Sequence, residues 1–121
     1  MAILRSYRDL AVWAASIELV ERCHALIVAL PRSQRFVLGD QLLRAAVSIP
    51  ANIAEGHRRP RRSYLNHLSI ALGSEAELET HIEIVHRLKL CTDAERAETI
   101  ALAESVARML HALVKSLRQL G

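Results

Sequence analysis

The sequence predicts an all-α protein, an up-down-up-down antiparallel four-helix bundle with a proline-kinked second helix. Three observations carry that prediction. Apolar residues recur at steps of three and four along four long stretches. The breaks between the stretches carry proline, glycine or an N-cap signature. Hydrophobic residues make up 51% of the chain but aromatics only 3%, so the core is built from Leu, Ile, Val and Ala, which suits helices lying close together. Residues 1–121 read as a single domain, with no internal repeat, low-complexity tract or long linker.

The first helix is opened by a Ser-x-x-Asp capping pattern, Ser6 and Asp9. Its seam reads Leu10, Trp13, Ile17, Val20, His24 and Ile27, with Glu18 and Arg22 as a supporting pair one turn apart. Pro31 cannot continue this helix, and Ser33 is placed to cap the next. The second helix spans about Gln34 to Glu55, turns Leu38, Leu42, Ala45, Ile49 and Ile53 inward, and ends on Gly56 as a left-handed C-cap. Pro50 removes the hydrogen bond to the Ala46 carbonyl and crowds it. A kink is expected there in preference to a break, because the apolar phase carries across the proline.

Residues 57–62 form the next connection, and Ser63 is the expected cap of the third helix. Tyr64, Leu68, Ala71, Leu78, Ile82 and Val85 carry its seam, with Glu75 in phase where an apolar residue is due. Gly73 costs about 1 kcal/mol of helix propensity, which makes sense if another backbone passes close to Gly73-Ser74. Thr92 and Glu95 then repeat the capping signature, and the fourth helix reads Ala103, Val106, Leu110, Leu113, Leu117 and Leu120, with Glu104 and Arg108 one turn apart.

Beside its apolar face the second helix carries a polar stripe of Gln41, Arg44, Ser48, Asn52 and Glu55, interspersed with alanines. Short amides, a hydroxyl and a carboxylate in that pattern suit the approach of another helix better than solvation. Gln41, Ser48, Asn52, Glu55, Gly73, Ser74 and Glu77 are therefore the candidates for a subunit interface or a buried polar network, with Asn52 as the residue fixing register. The stripe has no histidine in phase, so Ser48 has no evident base, and buried or interfacial hydrogen bonding is the expected role.

Immediately after it comes the basic run His57-Arg58-Arg59-Pro60-Arg61-Arg62. Residues 1–62 hold ten Lys/Arg against five Asp/Glu, a net of +5, while residues 63–121 hold six against eight, a net of −2. Fourteen of the sixteen cations are arginine, the side chain suited to bidentate pairing with phosphate or carboxylate. Arg58, Arg59, Arg61 and Arg62, with Arg44, are the candidate nucleic-acid contacts. A solvated loop, or arginines pairing with Glu75, Glu79 or Glu83 of a neighbouring subunit, explains the same run. The four aromatics, Tyr7, Trp13, Phe36 and Tyr64, are not interleaved with it, which argues against base-specific reading.

Other chemistry finds little support. Cys23 and Cys91 make no C-x-x-C pattern, and the six histidines make no metal motif. No cofactor, metal or small-molecule substrate is expected. The longest apolar run, residues 25–30, is far below spanning length, and the N-terminus carries no signal core. A cytoplasmic protein without membrane contact is expected.

The residues quoted above resemble the family of small bundles encoded in intervening sequences of bacterial 23S rRNA genes. The resemblance covers nearly the whole chain. It rests on Tyr7-x-Asp9-Leu10-x-Val12-Trp13, on Leu30-Pro31 with Phe36-x-Leu38, and above all on Gln41 with Arg44-Ala-Ala-x-Ser48-Ile49-Pro50-Ala51-Asn52-Ile53-Ala54-Glu55-Gly56. Ala71-x-Gly73-Ser74 and Glu77-Leu78-Glu79 extend it. The resemblance implies a homo-oligomer, commonly a pentameric ring, with no enzymatic activity. It is more distantly similar to accessory proteins of diversity-generating retroelements, which associate with a reverse transcriptase and RNA. Gln34 and Glu75 depart from the family pattern, where a glutamate and an apolar residue are usual. The function expected is a non-enzymatic oligomeric bundle whose basic loop associates with RNA or a ribonucleoprotein. The alternative is a structural or adaptor ring that binds a protein partner, and a metalloenzyme lacks the Glu-x-x-His pairs it would need.

Overall fold

The computed structural model describes residues 6–120. Four long helices dominate: α1 (Ala11–Ala29), α2 (Asp40–His57), α3 (Arg61–Arg87) and α4 (Asp93–Gln119). A 3-10 turn, Tyr7–Asp9, precedes α1, and a short α turn, Arg32–Gln34, followed by a π-helical turn, Arg35–Gly39, leads directly into α2. Each helix packs on its neighbours in sequence, and α4 returns to α1. Between them lies one aliphatic cluster that includes Leu19, Leu42, Ile49, Ile53, Leu68, Leu78, Ile82, Val106 and Leu110.

The seams of α2 and α3 fall where their periodicity puts them, with Leu42, Ala45, Ile49, Ile53, Tyr64, Leu68, Ala71, Leu78, Ile82 and Val85 all buried. In α1 the buried line is instead Val12, Ser16, Leu19, Cys23 and Leu26. The expected line of Leu10, Trp13, Ile17, Val20 and Ile27 flanks it half-buried, and His24 is exposed. The reason is that α1 carries apolar residues on most of its circumference, and its true inner line contains a serine. Ser16 is satisfied locally, its hydroxyl donating to the Trp13 carbonyl at 2.7 Å. In α4 the line holds through Leu110, after which Leu113 and Leu117 are half-buried and Leu120 is exposed.

The ends of the helices differ from the expected caps in an instructive way. Thr92 and Glu95 form the full capping box on α4. Ser6 and Asp9 form one too, but it closes the 3-10 turn ahead of α1. Pro31 and Pro60, not Ser33 and Ser63, stand at the entry of the next helical segments, because proline sets a helical φ and has no N–H to leave unsatisfied. Gly56 is no C-cap: α2 continues through it to His57. Arg35 closes the carbonyl end of α1, its guanidinium donating to the carbonyls of Leu30 (3.1 Å) and Val28 (2.9 Å). Arg22 reaches Glu98 on α4 at 3.0 Å and not Glu18, and no Glu104–Arg108 pair forms among the described residues. α2 runs unbroken through a buried Pro50.

Within the chain the close approach falls at Gly56 and not at Gly73. A Cβ on Gly56 would stand 2.7 Å from His67 Cβ and 2.9 Å from Tyr64 Cδ1, so here α2 and α3 touch almost backbone to side chain. A Cβ on Gly73 would meet no heavy atom within 4 Å. Gly73 therefore leaves open surface, and among the described residues no backbone passes over it.

Among the described residues, Glu75 is the one buried carboxylate. Its side chain lies in the α3 seam with the residue 4% exposed, and Oε2 has no hydrogen-bond partner. Burial, then the hydrogen bond and charge of Glu79, then the charge of Glu104 push its pKa up to about 8. Glu75 thus enters the folded state as the neutral acid. In the unfolded chain it ionises near 4.5, so this group leaves stability intact below that pH and erodes it progressively as pH rises toward 8, where the folded form also ionises.

Two outcomes follow from this packing. Gly56→Ala should cost about 1–3 kcal/mol in denaturant unfolding, the usual range for overpacking a tight contact; an unchanged midpoint would show that α2 and α3 can separate freely. Glu75→Gln, which cannot ionise, should match the parent in urea midpoint near pH 4 and exceed it by an amount that grows between pH 5 and 8. A difference that stays constant with pH would mean Glu75 is ionised in the folded chain.

Candidate functional site

The polar stripe of α2 and the facing side of α3 meet in one hydrogen-bonded relay. The hydroxyls of Ser48 and Ser74 lie 2.8 Å apart. Asn52 Nδ2 donates to the Ser48 carbonyl at 2.8 Å and to its hydroxyl at 3.1 Å. With the amide in that orientation Asn52 Oδ1 can only accept, so His67 Nδ1, 3.0 Å away, carries the proton of that contact. As residue numbers rise from Ser48 to Asn52, their partners fall from Ser74 to His67, so the two helices run in opposite directions with their register marked by two polar contacts.

Of the candidate interface residues, Ser48, Asn52 and Ser74 are thus engaged within the chain. Gln41, Glu55, Gly73 and Glu77 are exposed, as is Ile70. Glu55 pairs with Arg59 at 3.3 Å, and Glu77 with His81 at 3.3 Å. His67 was hidden in the sequence among the histidines without a motif. Its signal was positional: it lies two turns before Ser74 on the flank of α3 that faces Ser48 and Asn52.

The basic run projects from the end of this helix pair. Arg58, Arg59, Arg61 and Arg62 are all exposed. Arg59 is tied to Glu55, a half-exposed pair worth at most about 1 kcal/mol. Arg61 and Arg62 have no ion-pair partner among the described residues. They occupy the first turn of α3, which contains no acidic residue and whose Pro60 cap offers no side-chain hydrogen bond. Cations at a helix N-terminus oppose its partial positive charge, so this end concentrates positive potential with nothing of its own to offset it. Arg44 is not part of the cluster: it pairs with Asp40 at 3.3 Å and stands fourteen residues, about 21 Å of helix, before Arg58.

The fold adds two residues that the sequence did not place there. The Tyr7 ring lies under two guanidiniums, Arg8 at 5.1 Å and Arg58 at 5.8 Å from its centroid. Trp13 packs edge-on against the same ring with centroids 5.3 Å apart. Behind the loop, His57 meets Tyr64 edge to face at 5.7 Å. The Tyr64 hydroxyl is buried without a hydrogen-bond partner, and burial raises its pKa. No local pattern could have joined Tyr7 to Arg58, because their contact depends on the start of α1 packing beside the end of α2.

A second charged feature, an open groove of about 490 Å³ between α3 and α4, is lined by Glu79, Glu83, Arg87, Arg96 and Glu104 among others. Arg96 makes two hydrogen bonds to Glu83 and holds its carboxyl below the usual range, so the charges there largely satisfy one another. Among the described residues no group of His, Cys, Asp and Glu is arranged to hold a metal ion. No described helix is long and apolar enough to cross a membrane. His86 is engaged by Asp93 at 2.6 Å.

Comparison with known proteins bears on what this site belongs to. No curated protein matches the chain. A crystal structure of a protein of unknown function from the S23 ribosomal protein family of Bacteroides thetaiotaomicron VPI-5482 is similar in fold, with a TM-score of 0.81. The two chains are 28% identical over 87% of this chain and 99% of that one. The model of the 23S rRNA-intervening sequence protein family matches residues 8–112, from the Tyr7–Asp9 turn through most of α4, and the chain belongs to that family.

Proposed function

We propose that this protein is a non-enzymatic, self-associating bundle that binds RNA phosphates through the loop joining α2 to α3. The observation that carries the reading is the uncompensated charge of that loop: Arg58, Arg61 and Arg62 stand exposed at the N-terminal end of α3 without an acidic residue in its first turn. A phosphate placed there meets both guanidinium donors and the positive end of the helix. Repetition of the loop around a ring, five-fold in the assembly the family resemblance implies, multiplies the contacts and steepens the salt dependence. Self-association is supported by the exposed strip along the α2–α3 seam, where Gly73 leaves room for a facing helix and Ile70 offers apolar surface. The cytosol, where RNA and reduced cysteines coexist, is the compartment this reading requires.

One observation favours the adaptor alternative. Phe36 is 84% exposed and Val37 64% exposed on the π-helical turn ahead of α2, and large apolar side chains held outward there suit a protein partner. In that case the basic loop pairs with acidic protein, and nucleic acid plays no part.

The readings separate in one titration series. The parent should bind a short single-stranded RNA with an affinity that falls steeply between 50 and 200 mM salt, and each of Arg58→Ala, Arg61→Ala and Arg62→Ala should lessen the log–log slope by about 0.7 per subunit. Arg44→Ala should leave it unchanged. Gly73→Leu should lower the mass found by sedimentation. RNA binding that ignores both salt and the three arginines would remove the phosphate reading and leave the adaptor.

A further inference from the structure

Resting on the basic-loop reading, we propose that the Tyr7–Asp9 turn makes the site selective for unpaired RNA, with Arg8, Tyr7 and Arg58 forming a platform on which an exposed base stacks beside the phosphate-binding Arg61 and Arg62. The placement is specific. Two exposed arginines, fifty residues apart in the chain, converge on one half-buried tyrosine ring. Neither guanidinium takes a carboxylate partner among the described residues, and the acid of the same turn, Asp9, accepts from the Ser6 backbone N–H at 3.2 Å. Like charges gathered on one ring repel each other, and the ring quadrupole offsets that only in part. An anionic ligand completes the balance.

The chemistry of the platform distinguishes single from double strands. A guanidinium lying against an aromatic ring has a second planar face, and that face accepts a nucleobase. In a duplex the base faces are covered by their neighbours and only phosphates and groove edges reach the protein. A loop that worked through phosphates alone would favour the duplex, whose charge density is the higher. A preference for single strands therefore reports base contact. Trp13, the only tryptophan of the chain, packs edge-on against the Tyr7 ring and serves as a reporter of its occupancy.

The test uses the full-length protein at 50 mM salt with two probes, a labelled 12-nucleotide oligouridylate and a labelled RNA duplex of equal length. The single strand should bind more tightly than the duplex and change the Trp13 emission, which the duplex should not. Arg8→Gln, a change at an exposed side chain, should weaken single-strand binding roughly tenfold and duplex binding less than twofold. Tyr7→Leu should do the same and Tyr7→Phe should restore the parent behaviour. Arg61→Gln with Arg62→Gln should weaken both probes together. If Arg8→Gln and Tyr7→Leu leave the single-strand preference intact, or lower both probes equally, the platform is overturned while the phosphate loop stands. If the parent binds neither probe, the basic-loop reading fails and the platform with it.

Discussion

The contact between α2 and α3 sets the terms for the rest of the molecule. Gly56 lets the helices approach until the rings of Tyr64 and His67 rest on the α2 backbone. The Asn52–His67 contact beside it and the Ser48–Ser74 contact two turns further along α3 fix the register in which that approach occurs. Aliphatic packing alone tolerates sliding, because leucine and isoleucine fill space without directional demands. A polar relay does not, since a displaced partner leaves a desolvated donor or acceptor unpaired. The relay therefore contributes specificity more than net stability, and the glycine supplies the closeness that makes it possible.

That register decides where charge appears. With α2 ending at His57 and α3 beginning at Arg61, only three residues separate the helices, so the arginines have no slack with which to fold back toward acidic partners. Arg59 alone reaches one, Glu55 on its own helix. The start of α1 lies beside the same end, and Tyr7 is thereby brought under Arg58. A loop of ordinary composition becomes a fixed array because the helix pair beneath it is locked. The acids of the C-terminal half, by contrast, are spent on internal pairing, as with Arg96 and Glu83, or are neutralised by burial, as with Glu75.

Much of the fold was legible where local chemistry and tertiary need coincide. Thr92 and Glu95 satisfy each other within a single turn, so their box could be read without knowing what surrounds it. The inner faces of α2 and α3 were legible because polar and apolar residues segregate cleanly there. The inner face of α1 was not, since serine and cysteine occupy core positions while tryptophan, isoleucine and valine flank them. In the same way Arg22 found Glu98 across the bundle when a local partner, Glu18, was available. Within the site, the arginine run and the residues Ser48, Asn52 and Ser74 announced themselves by composition. Tyr7, Arg8 and His67 did not, because each matters together with a residue fifteen or more positions away, Arg58 for the first two and Asn52 for the third. Gly73 is ambiguous for a related reason: a helix-interior glycine signals a close neighbour in the same chain or open surface with the same letter, and within this chain it is open surface.

The claim on which this account stands is that the α2–α3 register is held by directional polar contacts and not by aliphatic packing alone. A double-mutant cycle between Asn52 and His67, each changed to alanine and both together, measured by urea unfolding, addresses it most directly. Strongly non-additive losses are expected, with a coupling of about 1 kcal/mol or more, because either single change strands the other partner. Losses that add to within about 0.3 kcal/mol would contradict it, and would assign the register to the leucine and isoleucine core.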